Sequence, residues 1–368
     1  MVCRVYLLPM SRHSRHPEAG IGERAWIAGL RNRAEVLPGM ALKGRALRLG
    51  IGDDCAILQP PAGHQVLVTT DFSLETVHFR RQWHTPESAG HRCLARGLSD
   101  IAAMGGNPLA AFLSLALPME LTRSEAGRPS WRERFLAGFL ALGQKFDVPL
   151  AGGDTARSPR PTAPGSGTGL ALADIVVIGS APKDRAIRRS GARPGDRIYV
   201  TGQLGGAAAE LAQLAAHPRL FRDCTKGVNG SSNPHPHLFP EPRLGAGTWL
   251  LKNRRATAAI DISDGLSTDL DHLCEESGVA AVVEWAALPL HPLAADLPAS
   301  EAQRLALHGG EDYELLFTAS PRRKIPRRIA GVPIACIGEI RRVEPGKPRI
   351  LLCELGLERP LLPGGWEH

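Results

Sequence analysis

Five aspartates in this chain stand where an apolar, strand-like run meets glycine, serine or threonine. They are Asp54 in "LGIGDDCAIL", Asp71 in "VLVTTDFSLE", Asp154 in "PLAGGDTARS", and Asp261 and Asp264 in "AAIDISDGLSTDL". A carboxylate is costly to bury unless something pairs it. A fold that carries these runs as strands must therefore bring their ends to polar ground, and acids at strand ends beside small residues can converge on one cleft. Asp100, on the helical run "HTPESAGHRCLARGLSDIAAMGG", joins them as a sixth. Oxygen ligands of this kind suit Mg²⁺, which keeps waters and takes one or two carboxylates plus substrate phosphates. Acids gathered without cations repel one another, and bound cations relieve that repulsion.

Each acid also has a purely structural reading. Asp100 lies four residues after Arg96, at ion-pair spacing on a helix, though in the weaker order. Asp154 follows two glycines and suits a turn. Asp264 suits the N-cap of "GLSTDLDHL". Taken together, the six favour a metal–phosphate site. Within "GIGDDCAIL", neighbours on a strand point to opposite faces. That assigns Asp54 to the metal and Asp53 to nearby backbone or an arginine.

The remaining pattern is a mixed α/β (α+β) order. "GERAWIAGLRN" has helical spacing. "HQVLVTTDFSLE", "NPLAAFLSLALP" and "GLALADIVVIGSA" read as buried strands. The long helix after His84 takes Thr85 as N-cap, Pro86 at N1 and Gly105 beyond its C-terminus. "WRERFLAGFLALGQKFD" is a second helix, and "VPLAGGDTARS" a short strand running into a glycine turn. "DRIYVTGQLGGAAAELAQL" is strand, glycine turn, helix. Residues 215–245 read as an irregular insert, and "IACIGEI" as the last strand. A break near residue 180 divides the chain into an extension (1–20), an N-terminal unit (21–180) and a C-terminal unit (181–368).

Composition removes several classes. With 43% hydrophobic and 22% charged residues over 368 positions, the chain reads as globular. No apolar run is long enough to span a bilayer. The seven cysteines form no C-x-x-C pair, which suits free thiols in a reducing cytoplasm. His235 and His237 in "NPHPHLFP" read as a polar loop. The net charge of +7 fits anionic partners, but with only 5% aromatics a nucleic-acid stacking platform is disfavoured. There is no P-loop, G-x-S-x-G or protein-kinase signature. "TGQLGG" is a weak phosphate-cradle signal.

In order along the chain stand "GIGDDCAIL", "TTDFSLETVHF", "LARGLSDIAAMGGNP", "LAGGDTARS", "RSGARPGDRIYVTGQLG", "IDISDGLSTDL", "GGEDYELLFT" and a terminal "GGWEH". This series resembles the thiamine-monophosphate kinases of the aminoimidazole-ribonucleotide-synthetase-like superfamily. The resemblance implies a two-domain fold whose N-terminal strands build a dimer-forming barrel. It also implies transfer of a phosphoryl group from ATP to thiamine monophosphate with several Mg²⁺ ions. By it, Asp54, Thr69, Thr70, Asp71, Asp100, Asp154, Asp261 and Asp264 would hold metal. Thr70, Gly153, Asp154, Arg189 and Ser263 would meet ATP, and His78, Glu311 and Trp366 the thiamine phosphate. Asp71, Asp154, Asp261 and Arg189 would carry the catalysis. A cytoplasmic homodimer binding neither nucleic acid nor membrane is implied. The nearest alternatives are selenophosphate and aminoimidazole-ribonucleotide synthetases, and Cys3 lacks the glycine-rich context the former requires. The N-terminal extension, the longer stretch after Asp154 and the 215–240 region depart from the family pattern.

Overall fold

The computed structural model describes residues 46–124, 127–159, 169–218 and 234–366. The expected extension, the helix near residues 22–32 and positions 219–233 of the 215–245 insert lie outside the described residues.

A four-stranded sheet carries the first half. Its strands are β3 (His64–Leu74), β4 (Asn107–Leu117), β5 (Leu150–Arg157) and β6 (Leu172–Pro182), in the order β3-β6-β4-β5; a small antiparallel hairpin, β1 (Leu47–Leu49) and β2 (Ile57–Leu58), precedes them. Burial along β6 alternates, so Ala173, Ile175 and Val177 point inward, the period-2 signature of a half-buried strand. Helices α1 (Pro86–Ala103) and α2 (Trp131–Lys145) cover that inner face.

The caps follow local chemistry. Thr85 accepts the Ser88 N–H, Pro86 fills the first turn, and Gly105 takes φ +69° beyond the last turn. Ser130 and Glu133 form a reciprocal capping box on α2. Gly97 lets α1 lie against the sheet, since a Cβ there would stand 2.6 Å from a Val177 methyl.

The second half is a larger mixed sheet. Its strands are β7 (Arg197–Thr201), β8 (Ala258–Asp261), β9 (Ala280–Glu284), β10 (Leu315–Ala319), β11 (Arg328–Ile329), β12 (Val332–Arg341), β13 (Ile350–Glu354) and β14 (Leu357–Pro360). The order is β14-β13-β9-β12-β7-β10-β8, with β11 paired to β12. Helices α3 (Gly206–Ala216), α4 (Leu244–Lys252), α5 (Leu266–Ser277) and α6 (Ala299–His308) accompany it. One apolar core joins the two halves: Leu94, Leu98 and Ile175 belong to the same buried cluster as Leu250, Ala259 and Phe317.

Three expectations need correction. "LGIGDDCAIL" is not one strand. Asp53 and Asp54 sit in the turn of the β1–β2 hairpin and both are exposed, so the opposite-faces argument does not apply to them. "AGGD" is not a turn; it lies inside β5. Gly153 takes φ +148° there, and a Cβ would fall 1.9 Å from the Leu113 carbonyl oxygen. "IACIGEI" is not the last strand, because β13 and β14 follow it.

Candidate active site

Asp71, His78, Arg96, Asp100, Arg189, Asp261, Ser263, Asp264, Glu311, Tyr313 and Trp366 line one cavity of about 380 Å³ at the junction of the two halves. Asp71 comes from the inner face of β3 and Asp100 from the α1 face packed on it. Asp261 is the last residue of β8. Trp366 reaches in from the end of the chain, its backbone N–H donating to the Asp264 carbonyl at 3.0 Å.

The turn after β8 is held by a residue outside the expected set. Asp269 accepts the backbone N–H groups of Ser263, Asp264 and Gly265 at 3.0–3.1 Å. Gly265, not Asp264, occupies the N-cap of α5, and it has no side chain to cap with. The Asp264 side chain is thereby left to the cavity, which it lines. Ser263 in turn accepts the Glu311 N–H through its carbonyl at 2.8 Å.

The acids perturb one another. Burial, then the Asp100 charge, push the Asp71 carboxyl up to about 7, against the opposing pull of Arg96. Burial, then Asp100, likewise push Asp261 up to about 7, although Ser99 donates its hydroxyl hydrogen to Asp261 at 2.6 Å. Asp100 is raised by burial, while the Thr69 hydroxyl that donates to it and the Arg189 charge pull the other way. The Oδ2 of Asp71 is buried with no hydrogen-bond partner. Clustered carboxylates pushed toward neutrality, one with an orphaned oxygen, are an electrostatic deficit that a cation fills.

Not every expected residue is in this cavity. Asp54, Gly153 and Asp154 line a second cavity of about 590 Å³, beside the β1–β2 turn and β5. Thr69 sits beneath Asp100, and Thr70 is exposed on the other face of β3. So Asp71, Asp100, Asp261 and Asp264 share one cavity, and Asp54 and Asp154 share another. Arg189, not Arg188, lines the first.

Sequence reasoning gave Arg96 only a local pair with Asp100 and passed over Tyr313. The Arg96 guanidinium lies 4.0 Å from Asp71 and 3.8 Å from Glu311, rather than making the local pair with Asp100. Its place one turn before Asp100 on the same helix was the available signal. Among the described residues, no three acid, histidine or cysteine side chains converge as a ready-made metal cage.

Comparison with known proteins agrees in both halves. Residues 52–180 match the family described as "AIR synthase related protein, N-terminal domain". The thiamine-monophosphate kinase of Salmonella typhimurium (strain LT2) is 38% identical over 79% of this chain and 83% of its own length. The crystal structure of thiamine-monophosphate kinase from Stenotrophomonas maltophilia K279a superposes with a TM-score of 0.70 at 33% identity, covering 90% of this chain and 96% of that one. The solved structure "AaThiL complexed with AMPPCP and TMP" gives a TM-score of 0.68 at 27% identity, over 97% of this chain and 100% of that one. Hydrogenase maturation protein HypE shares the fold at 18% identity. With identity, coverage and fold all in agreement, the chain belongs to the thiamine-monophosphate kinase family.

Proposed function

We propose that this protein transfers the terminal phosphoryl group of ATP to thiamine monophosphate, giving ADP and thiamine diphosphate. The observation that carries the reading is the first cavity. It sets a group of acids under mutual strain beside Arg189, with Glu311 and Trp366 on its wall. A relative of the same fold binds AMPPCP and TMP together.

The acceptor is a phosphate monoester with a second pKa near ~6, so it is largely dianionic at neutral pH. Its oxygen attacks the γ-phosphorus directly, the bond to the β-phosphate oxygen breaks, and ADP leaves. No side chain need remove a proton. Catalysis reduces to positioning and charge stabilisation, chiefly bringing two polyanions together.

The residues fit Mg²⁺ on chemical grounds. The donors are hard carboxylate oxygens, one of them orphaned, and an open set suits an ion that keeps several waters. Asp71, Asp100, Asp261 and Asp264 would hold such ions from the first cavity, with Asp54, Thr69, Thr70 and Asp154 as the remaining candidates. When bound, Mg²⁺ neutralises phosphate charge and orients the transferring group. Arg189 adds positive charge on the cavity wall, and Gly153 and Ser263 stand as nucleotide contacts. Trp366, 54% exposed, offers a flat face to the cationic thiazolium. Glu311 and His78 meet the acceptor.

The outer face of the first sheet supports a homodimer. Val66, Val68 and Phe72 on β3 are 49%, 61% and 61% exposed, an apolar strip of the sort that marks an interface. Among the described residues no helix is long and apolar enough to cross a membrane, and the five described cysteines are free. A cytoplasmic enzyme with a domain division near residue 180 is consistent with both sheets and thiols. Incubation with ATP, Mg²⁺ and thiamine monophosphate, with thiamine diphosphate resolved by chromatography, is the direct test. No product at any Mg²⁺ concentration refutes the reading.

A further inference from the structure

The two histidines that read as a polar loop are not one. His237 is 1% exposed, and it joins a buried network with His84 (5%) and Arg92 (3%) that ends on Glu311. The Nε2 atoms of His84 and His237 face each other at 2.9 Å. His237 Nδ1 lies 3.2 Å from Glu311 Oε2, and Arg92 Nη2 donates to Glu311 Oε1 at 2.6 Å. Behind them, Glu210 accepts the backbone N–H groups of His237 and Leu238 at 2.7 and 3.1 Å. The backbone that carries the His237 ring is therefore held in place.

The hydrogen positions follow from what each partner can do. Two facing imidazole nitrogens need one donor and one acceptor. His84 Nδ1 has both the Arg80 N–H, at 3.1 Å, and the Arg80 carbonyl, at 3.2 Å, within reach, so His84 alone permits either direction. The far end decides. Arg92 Nη1 and Glu311 Oε2 both lie 3.2 Å from His237 Nδ1, but Nη1 already donates to the His237 carbonyl. A carboxylate only accepts, so an unprotonated Nδ1 would set two lone pairs against each other. The proton of His237 belongs on Nδ1. His84 then donates from Nε2 and accepts the Arg80 N–H at Nδ1.

We propose that His237 is a positioning residue for Glu311. Its Nδ1–H, directed by His84, and the Arg92 guanidinium each fix one oxygen of the Glu311 carboxylate, which faces the cavity to recognise the cationic, amino-bearing part of the phosphate acceptor. The inference rests on reading Glu311 as an acceptor contact. Glu311 has 22% of its side chain exposed and a backbone φ of +67°. It is thus aimed by its surroundings rather than by relaxed local geometry. Burial alone would raise the Glu311 carboxyl; Arg92, His237 and Arg96 overturn that and hold it well below the usual range. Burial, then the Arg92 charge, lowers the His237 imidazole below its ordinary value, against the opposing pull of Glu311.

The test uses the full-length protein. His237→Leu removes the donor to Glu311, whereas His237→Asn keeps an N–H near the Nδ1 position. His237→Leu is expected to raise KM for thiamine monophosphate about tenfold, with kcat and KM for ATP within about twofold of the parent. His237→Asn is expected to recover most of that loss. Equal changes in both KM values, or a fall in kcat alone, overturn the proposal. Two-bond ¹H–¹⁵N spectra of the parent give a readout independent of turnover. His237 is expected as the Nδ1–H tautomer and His84 as the Nε2–H tautomer, and the reverse assignment overturns the proposal. A parent without turnover on thiamine monophosphate refutes the kinase reading, and the tautomers then decide the network by themselves.

Discussion

The Ser99 hydroxyl of α1 donates to the Asp261 carboxylate of β8 across 2.6 Å, joining a helix of the first half to the end of a strand in the second. It is a direct polar stitch beneath the cavity, and both residues are buried. Ser99→Ala removes the donor and leaves a buried carboxylate short of a partner. A loss of about 1–3 kcal/mol in stability is expected, read from urea unfolding. An unchanged midpoint would show that the contact contributes nothing.

Asp71→Asn separates stability from activity. The Asp71 carboxyl is pushed up to about 7 by burial and by Asp100, so at pH 8 the folded protein carries that charge at a cost. A neutral amide of similar shape relieves it. In metal-free buffer the thermal midpoint at pH 8 is expected to hold or rise, while turnover falls by about a hundredfold or more. A variant with near-parental turnover would remove Asp71 from the metal-binding set.

Mg²⁺ is expected to stabilise the protein more at pH 8 than at pH 5.5. Asp71 and Asp261 have folded values of about 7 against ordinary values of 3.8. Between those limits the folded state binds more protons than the unfolded one. The stability these groups contribute is therefore present at low pH and lost as pH rises through 7. A bound cation replaces the missing protons, so its effect grows as they leave. Differential scanning fluorimetry with and without Mg²⁺ at the two pH values checks this. An equal shift at both would rule out these carboxylates as the binding groups.

Gly153→Ala tests the second cavity. The residue sits at φ +148° with its would-be Cβ 1.9 Å from the Leu113 carbonyl oxygen, and that obstacle is backbone of the neighbouring strand. The β4–β5 pairing must open to admit a methyl group. A loss of at least about 2 kcal/mol is expected, and circular dichroism melts read it directly.

Much of this was legible in the chain. Thr85 and Pro86 announce α1, and the alternation of Ala173, Ile175 and Val177 gives β6 its buried face, because capping and periodicity are local effects. Acids at element ends were legible as a set, but their division between two cavities was not. Asp154 separates from Asp71 because β5 and β3 are opposite edges of the first sheet, and Asp54 because the β1–β2 turn lies beside β5; strand order is not a matter of local preference. Arg96 read only as a local partner for Asp100 for the same reason. Its partners, Asp71 and Glu311, are distant in sequence, and only the packing of α1 between the two sheets brings them near. His237 looked like loop polarity because its partners His84, Arg92 and Glu210 lie far upstream.

The cavity wall runs from Asp71 to Trp366, which gives its assembly a timetable. At about 5–20 residues per second, a ribosome takes on the order of tens of seconds to add the residues between them. Until Asp261 is added, Asp71 and Asp100 have no strand bearing it beside them, and they remain open to water and to cellular cations. The wall is complete only once Trp366 has been added and its N–H meets the Asp264 carbonyl.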